Sequence, residues 1–112
     1  MKLHVLTTPE EHAHGVIGRA SLEADELYFF HNIGGESYFH MRGVPFDLDI
    51  AFLDADFALL AVVRLEAEFG LAPTPPGTIH AVEAPAGYFA RQRLTAGSSW
   101  SALAEQVHKQ RP

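Results

Sequence analysis

The sequence contains no cysteine. That excludes a disulfide framework, a thiolate nucleophile and any cysteine-ligated zinc or iron–sulfur centre. It also lacks an uninterrupted run of about 18 apolar residues, the length of a membrane-spanning helix, so no transmembrane segment is expected. The opening Met1-Lys2-Leu3-His4-Val5 shows no secretory apolar region or cleavage site, and the expected location is the cytoplasm. Basic residues are few: eight Lys and Arg against fourteen Asp and Glu give a formal net charge of −6. Such a chain matches a phosphate backbone poorly, and no nucleic-acid partner is expected. Glycine-rich phosphate loops, nucleophile elbows and zinc-helix signatures are missing too, so no cofactor is expected and the balance leans away from an enzyme.

What is present is the composition of one folded domain. At 112 residues the chain is too short for two cores, and 47% hydrophobic content argues against disorder. Charge is uneven along it. Thirteen of the fourteen acids precede Arg91, whereas four of the eight basic residues lie from Arg91 onward. The simplest reading of that basic end is a solvated, polar tail over residues 104–112 that frays.

Leu3–Leu6 has β character and stops at a helix start. Thr8 can cap, Pro9 occupies the first helical position where its missing N–H costs nothing, and Glu11 completes a capping box. The helix is expected to reach about Gly18 with Ala13, Val16 and Ile17 inward. Gly15 inside it costs roughly 1 kcal/mol against alanine, which suggests that another backbone packs close there. Residues 27–33 and 36–42, separated by Gly34-Gly35, read as a hairpin with a two-residue turn. In that register Tyr28, Phe30, Phe39 and Met41 share one face, and Phe29, His31, Tyr38 and His40 share the other. Residues 46–53 and 57–65, joined by Asp54-Ala55-Asp56, form a second strand pair. The first has one buried face and the second is covered on both. The proline-rich stretch 67–76 reads as a loop, Thr78–Val82 as a strand, residues 88–93 as a short helix and residues 100–103 as a brief strand.

Seven histidines raise the question of a metal. His12 and His14 project to different sides of a regular helix and cannot ligate one ion. On the hairpin face, His31 and His40 would be diagonal neighbours roughly 7–8 Å apart, within reach of a bridging ligand. Whether His4 and His80 converge on them stays open. Asp47 and Asp49 leave one strand face roughly 6.5 Å apart, a spacing compatible with acid–base work or with a hard cation, and equally with a wet strand face. Trp100 among Ser98, Ser99 and Ser101 reads as a core plug.

Several fragments, taken in order, resemble the DUF192 family, a small, mostly β family without an established biochemical function. Thr8-Pro-Glu-Glu11, Gly15-Val-Ile-Gly-Arg19 and Leu22 resemble its opening T-x-x-E…G-L-M-x-R…L signature, and Leu27–Phe30 resembles the apolar strand that follows. Tyr38-Phe-His-Met41 and Leu48-Asp-Ile-Ala-Phe52 are similar to its F-W-M…P-L-D-I-I-F core. Val82-Glu83 with Ala86-Gly87 is similar to its L-E-x-x-A-G stretch, and Gly97 to its terminal glycine turn. The resemblance spans residues 3–103 and implies a mainly β fold: a compact antiparallel β-sandwich or barrel-like domain, an N-terminal helix packed on it and a short second helix, in a single domain over residues 1–103. It singles out Arg19, Met41, Asp49, Glu83 and Gly87. The chain departs from the pattern at His40, where the family has Trp, at Gly43-Val44 for Asn-Thr, at Asp47 for Pro and at Ser98 for Asp, which removes two polar groups from any family site.

Three functions are compatible with these residues. The first is a non-enzymatic binding module that holds a small polar ligand or peptide at His40, Asp49 and Glu83, with Arg19 and Met41 nearby. Arg19 with Asp49 or Glu83 equally reads as a structural ion pair that fixes the helix on the sheet. In the second function, which the small size, the lost polar positions and the basic C-terminal end suggest, the protein is an accessory subunit of a larger assembly such as a virion. The third is a hydrolase that uses Asp47 and Asp49 or a histidine-bound metal. Ligand, protein partner and oligomeric state stay open.

Overall fold

The start of the first helix shows how local chemistry sets the elements. In the computed structural model, which describes residues 1–34 and 38–110, Thr8 Oγ1 accepts the Glu11 amide at 3.1 Å. Glu11 Oε1 in turn accepts the Thr7 and Thr8 amides at 2.9 and 3.0 Å. These bonds satisfy donors that a helix start leaves without partners. Helix α1 (Pro9–His14) is shorter than the expected run to Gly18, because Gly15 at φ 50 and ψ −123 turns the chain out of the helix. No residue of α1 is buried, and Ala13, expected inward, is exposed. The buried residue of this segment is Val16, just beyond the helix.

The strands are β1 (Lys2–Leu6), β2 (Glu26–Phe30), β3 (Tyr38–His40), β4 (Leu48–Leu53), β5 (Leu59–Leu65), β6 (Leu71–Pro73) and β7 (His80–Pro85). Five of them form one sheet in the order β1-β2-β7-β4-β5, while β3 and β6 form a separate two-stranded sheet. The large sheet is open, with β1 and β5 at its edges, so the barrel-like expectation is not met. It is also mixed: β1 and β2 run parallel, joined by the connection that carries α1, and the other pairs are antiparallel. No described helix is long and apolar enough to cross a membrane.

The expected hairpin of residues 27–33 with 36–42 is not formed by the described strands. Strand β2 has a neighbour on each side, β1 and β7, and β3 pairs with β6 instead. The turn residue Gly35 and the expected partner Glu36 lie outside the described residues. One of the two expected faces nevertheless matches the packing; the other does not, because Phe29 lies in the opposite core cluster while Tyr38 and His40 border a cavity on the Phe30 side. Tyr28, Phe30 and Met41 lie in one core cluster with Phe39 against it, and the Phe30 and Phe39 rings meet edge to face at 5.2 Å. The β4–β5 hairpin forms as expected, its turn held by Asp54 Oδ1, which accepts the Asp56 and Ala58 amides at 2.9 and 3.0 Å. Strand β4 is buried on both faces where one was expected, and β5, an edge strand, leaves Val62 exposed. Within the proline-rich stretch, β6 pairs with β3, and Pro73 is tolerated because it ends a strand of a two-stranded sheet.

Side-chain alternation divides the interior in two. One face of the large sheet presents Leu27, Phe29, Ala51, Leu53, Val82 and Ala84 to helix α2 (Tyr88–Arg91) and helix α3 (Ser101–Gln110). The other presents Tyr28, Phe30, Leu48, Ile50, Phe52 and Ala81 to a second cluster that includes Val16, Met41 and Ala72. The strand expected at residues 100–103 is the entry to α3. Trp100, Leu103 and Val107 recur at helical spacing and all are buried, so residues 104–110, expected as a polar tail, continue that helix. Leu103 is fully buried there. Leu103→Ala is expected to cost about 2–5 kcal/mol of unfolding free energy, read as a lower urea midpoint at unchanged slope. The exposed Glu105→Ala in the same helix should stay within about 0.5 kcal/mol of the parent.

Candidate functional site

Strand β7 sets the position of the one buried carboxyl group that lacks a partner among the described residues. Glu83 lies opposite Tyr28 of β2 on one side and Ile50 of β4 on the other. It follows Ala81 on the face that carries Phe30 and Phe52, whereas His80, Val82 and Ala84 point to the helices. Only 4% of Glu83 is exposed. No described residue hydrogen bonds or ion pairs with its carboxyl, and burial alone pushes its pKa up to about 8. Desolvation disfavours the carboxylate, so the group holds its proton near neutrality.

Glu83 forms part of the wall of a cavity of about 650 Å³. The α1 segment borders one side with His12, Gly15 and Val16; Ile33, Phe39 and His40 border the other. Gly15 is favoured here by its positive φ, which is costly for any side chain; a Cβ would make ordinary contacts, 3.4 Å to Phe30 Cζ and 3.8 Å to Glu83 Oε1. The close neighbours suspected at this glycine are therefore side chains. No described Lys or Arg lines the cavity. Two of its imidazoles have other bonds: His12 Nε2 with the Leu6 carbonyl at 2.9 Å, and His40 Nδ1, which accepts the Arg42 amide at 3.2 Å.

Of the residues singled out from the sequence, His40 and Glu83 share this cavity and the other three do not line it. Asp49 points to the opposite sheet face, in step with Ala51 and Leu53. Its Oδ1 bonds the Arg64 guanidinium and its Oδ2 accepts the Gly87 amide at 2.8 Å, which fixes the entry to α2. Met41 is buried in the core, and its amide donates to the Gly70 carbonyl at 3.1 Å. Arg19 pairs with neither Asp49 nor Glu83. Its guanidinium grips Glu26 through two bonds of 2.5 and 2.8 Å and donates to the Tyr28 hydroxyl at 2.7 Å. Glu26, fully buried, also accepts the Glu23 amide at 3.0 Å and lies 2.7 Å from His4 Nε2. The Arg19 bonds dominate and hold its pKa at about 2. Glu26 was missed in the sequence, although an acid opening the apolar run Leu27–Phe30 is a signal of a buried ion pair.

The histidine and aspartate pairs also separate. Because β2 and β3 do not pair, His31 is no diagonal neighbour of His40; it stacks on His80 with ring centroids 5.0 Å apart. His4 stacks on Tyr28 at 4.4 Å. Asp47 is exposed and accepts the Ala67 amide at 2.8 Å, while Asp49 is engaged with Arg64. Among the described residues no group of three or more His, Asp and Glu is arranged to hold a metal ion.

The raised pKa of Glu83 makes a signed prediction. Its folded value of about 8 lies above the ordinary 4.5, so across that window the folded state keeps a proton that the unfolded chain has released. Stability contributed by this group is present below pH 4.5 and is lost as pH rises toward 8, by at most about 1.4 kcal/mol per pH unit. Glu83→Gln should flatten that decline in urea titrations run at successive pH values.

The fold recurs in solved structures. A protein of unknown function from Novosphingobium aromaticivorans DSM 12444 superposes with a TM-score of 0.76 at 24% identity, over 87% of this chain and 71% of that one. A Sinorhizobium meliloti 1021 protein, provisionally described as a transcription regulator, gives 0.74 at 17% identity, over 87% and 78%. No curated protein matches the chain. The profile of the DUF192 family, described as "Uncharacterized ACR", matches residues 1–101, nearly the whole length, and the chain belongs to that family.

Proposed function

We propose that this domain is a binding module whose cavity holds a small polar ligand against Glu83, and that it does no covalent chemistry on it. The observation that carries this reading is the buried, partnerless carboxyl at a 650 Å³ space. Natural cores give buried polar groups a partner, because an unmade hydrogen bond costs about 1–3 kcal/mol. Both other buried acids follow that rule, Glu26 with Arg19 and Asp49 with Arg64. An acid that breaks it beside an organic-sized cavity is explained by a ligand that supplies the missing partner. His12 and His40 are bonded elsewhere, and no described imidazole, His14 included, hydrogen bonds to Glu83. Apolar Phe30, Ile33, Phe39 and Val44 offer contact surface for the body of the ligand.

The test is a small-molecule screen by thermal shift. A ligand at ten times its Kd adds about 1.4 kcal/mol, several degrees for a domain of this size. Genuine occupants should shift the parent, lose their effect in Glu83→Gln and weaken in His40→Ala. A broad screen without one Glu83-dependent shift removes the reading.

Exposed apolar side chains at the small sheet support a second reading, self-assembly. Tyr38 and Leu71 are 46% and 62% exposed, and Phe69 beside them is 82% exposed. Sedimentation should then give a mass above the 12.3 kDa of the chain that Leu71→Asp returns to the monomer. A parent that stays monomeric at high concentration eliminates this alternative.

A further inference from the structure

The charge inventory of the cavity goes further than its shape. Resting on the binding reading above, we propose that the ligand is an organic monocation, a protonated amine on an apolar body, with Glu83 as its counter-ion and the Phe30 and Phe39 rings against it. Among the described residues Glu83 is the only carboxylic acid on the cavity wall, and no described lysine or arginine accompanies it. An anionic ligand would therefore meet a carboxyl with no resident guanidinium or ammonium to offset it. A cation meets a hydrogen-bond acceptor that nothing else uses and aromatic rings whose faces attract positive charge. The chain as a whole carries −6, which draws cations toward it over long range.

The chemistry predicts a coupled proton. The empty cavity holds Glu83 neutral near pH 7, because burial pushes its pKa to about 8. An ammonium group stabilises the carboxylate, so each cation that binds expels the carboxyl proton to solvent, and nothing else changes hands. Affinity therefore rises about tenfold per pH unit below pH 8 and levels off above it. Other ionisable groups face the same space. Tyr28 lies beside Glu83 in the sheet, with Arg19 on its hydroxyl. His12 and His14 come from α1, and Tyr38 and His40 from β3; the β4 residue opposite Glu83 is the apolar Ile50. The pH dependence that belongs to Glu83 is the part that Glu83→Gln removes.

Three probes of one shape separate the possibilities: 2-phenylethylamine, 2-phenylethanol and phenylacetate, titrated into the full chain by calorimetry at pH 6, 7 and 8. The amine, protonated across this range as alkylamines are, should bind at least tenfold more tightly than the other two at pH 8 and weaken steeply toward pH 6. In Glu83→Gln its affinity should fall at least tenfold and lose most of its pH dependence. At pH 7 the heats in phosphate and Tris should differ by the ionisation enthalpy of nearly one proton released per amine, a measurement on the parent that does not depend on the variant folding. If the alcohol or the acid binds as tightly as the amine, or if no proton is released, the cation assignment is overturned while the cavity stays a binding site. If all three probes are silent and so is the Glu83-dependent screen, both readings fall.

Discussion

The insertion of β7 between β2 and β4 is the constraint on which the molecule depends. Strands from both ends of the sequence meet there: β2 begins at Glu26, β7 at His80, and β4 lies between them in the chain but beyond β7 in the sheet. With β7 in place, every residue of β2, β4 and β7 has an assigned face. Phe29, Ala51 and Val82 go to the helices, and Phe30, Ile50 and Glu83 to the other side. A one-residue slip of β7 would send Glu83 toward Tyr88 and Phe89 and place Val82 or Ala84 where the carboxyl now lies. The sheet is thus built from pairings far apart in sequence, a topology whose closure entropy must be met before the contacts form.

Three buried acids show how differently the same functional group is treated. Glu26 is enclosed by a guanidinium, an amide and an imidazole, and its charge is held to strong acid. Asp49 is divided between Arg64 and the Gly87 amide and ties the large sheet to the start of α2. Both link the sheet to a segment outside it. Removal of either guanidinium would strand a charge in the interior, which is far costlier than loss of a surface pair. Glu83 ties no described segment to another. Its position adds no architecture that an isosteric apolar residue could not supply, which is why its chemistry points outward to the cavity.

Much of the local structure was legible in the sequence, and the reasons are specific. Thr8, Pro9 and Glu11 carry the cap, Asp54 carries the turn between β4 and β5, and the order Tyr28, Phe30, Phe39, Met41 carries one core face. Gly15 could be flagged because glycine in a helical pattern requires a cause. The partners of β2 could not be read, since alternation fixes which side chains share a face and says nothing of which strand lies alongside. The same limit hid the parallel β1, the short β6 among prolines, and the fact that Asp49 and Glu83 point to opposite faces. Helix α3 was a different kind of miss. Its period of Trp100, Leu103 and Val107 was present, but the polar residues between them drew attention to composition over spacing. Of the candidate site, His40 and Glu83, expected together, do border one cavity, while Arg19 was assigned the wrong carboxylates because two acids nearer the family motif concealed Glu26.

One residue without a side chain sits where the first helix meets the interior space. At Gly15 the chain leaves α1 through a positive φ, and Phe30 and Glu83 lie within 4 Å of the point where a Cβ would be. An alanine there would set a methyl group against the one acid on the described wall, so the backbone geometry of a helix end and the surroundings of the carboxyl are joined at a single residue.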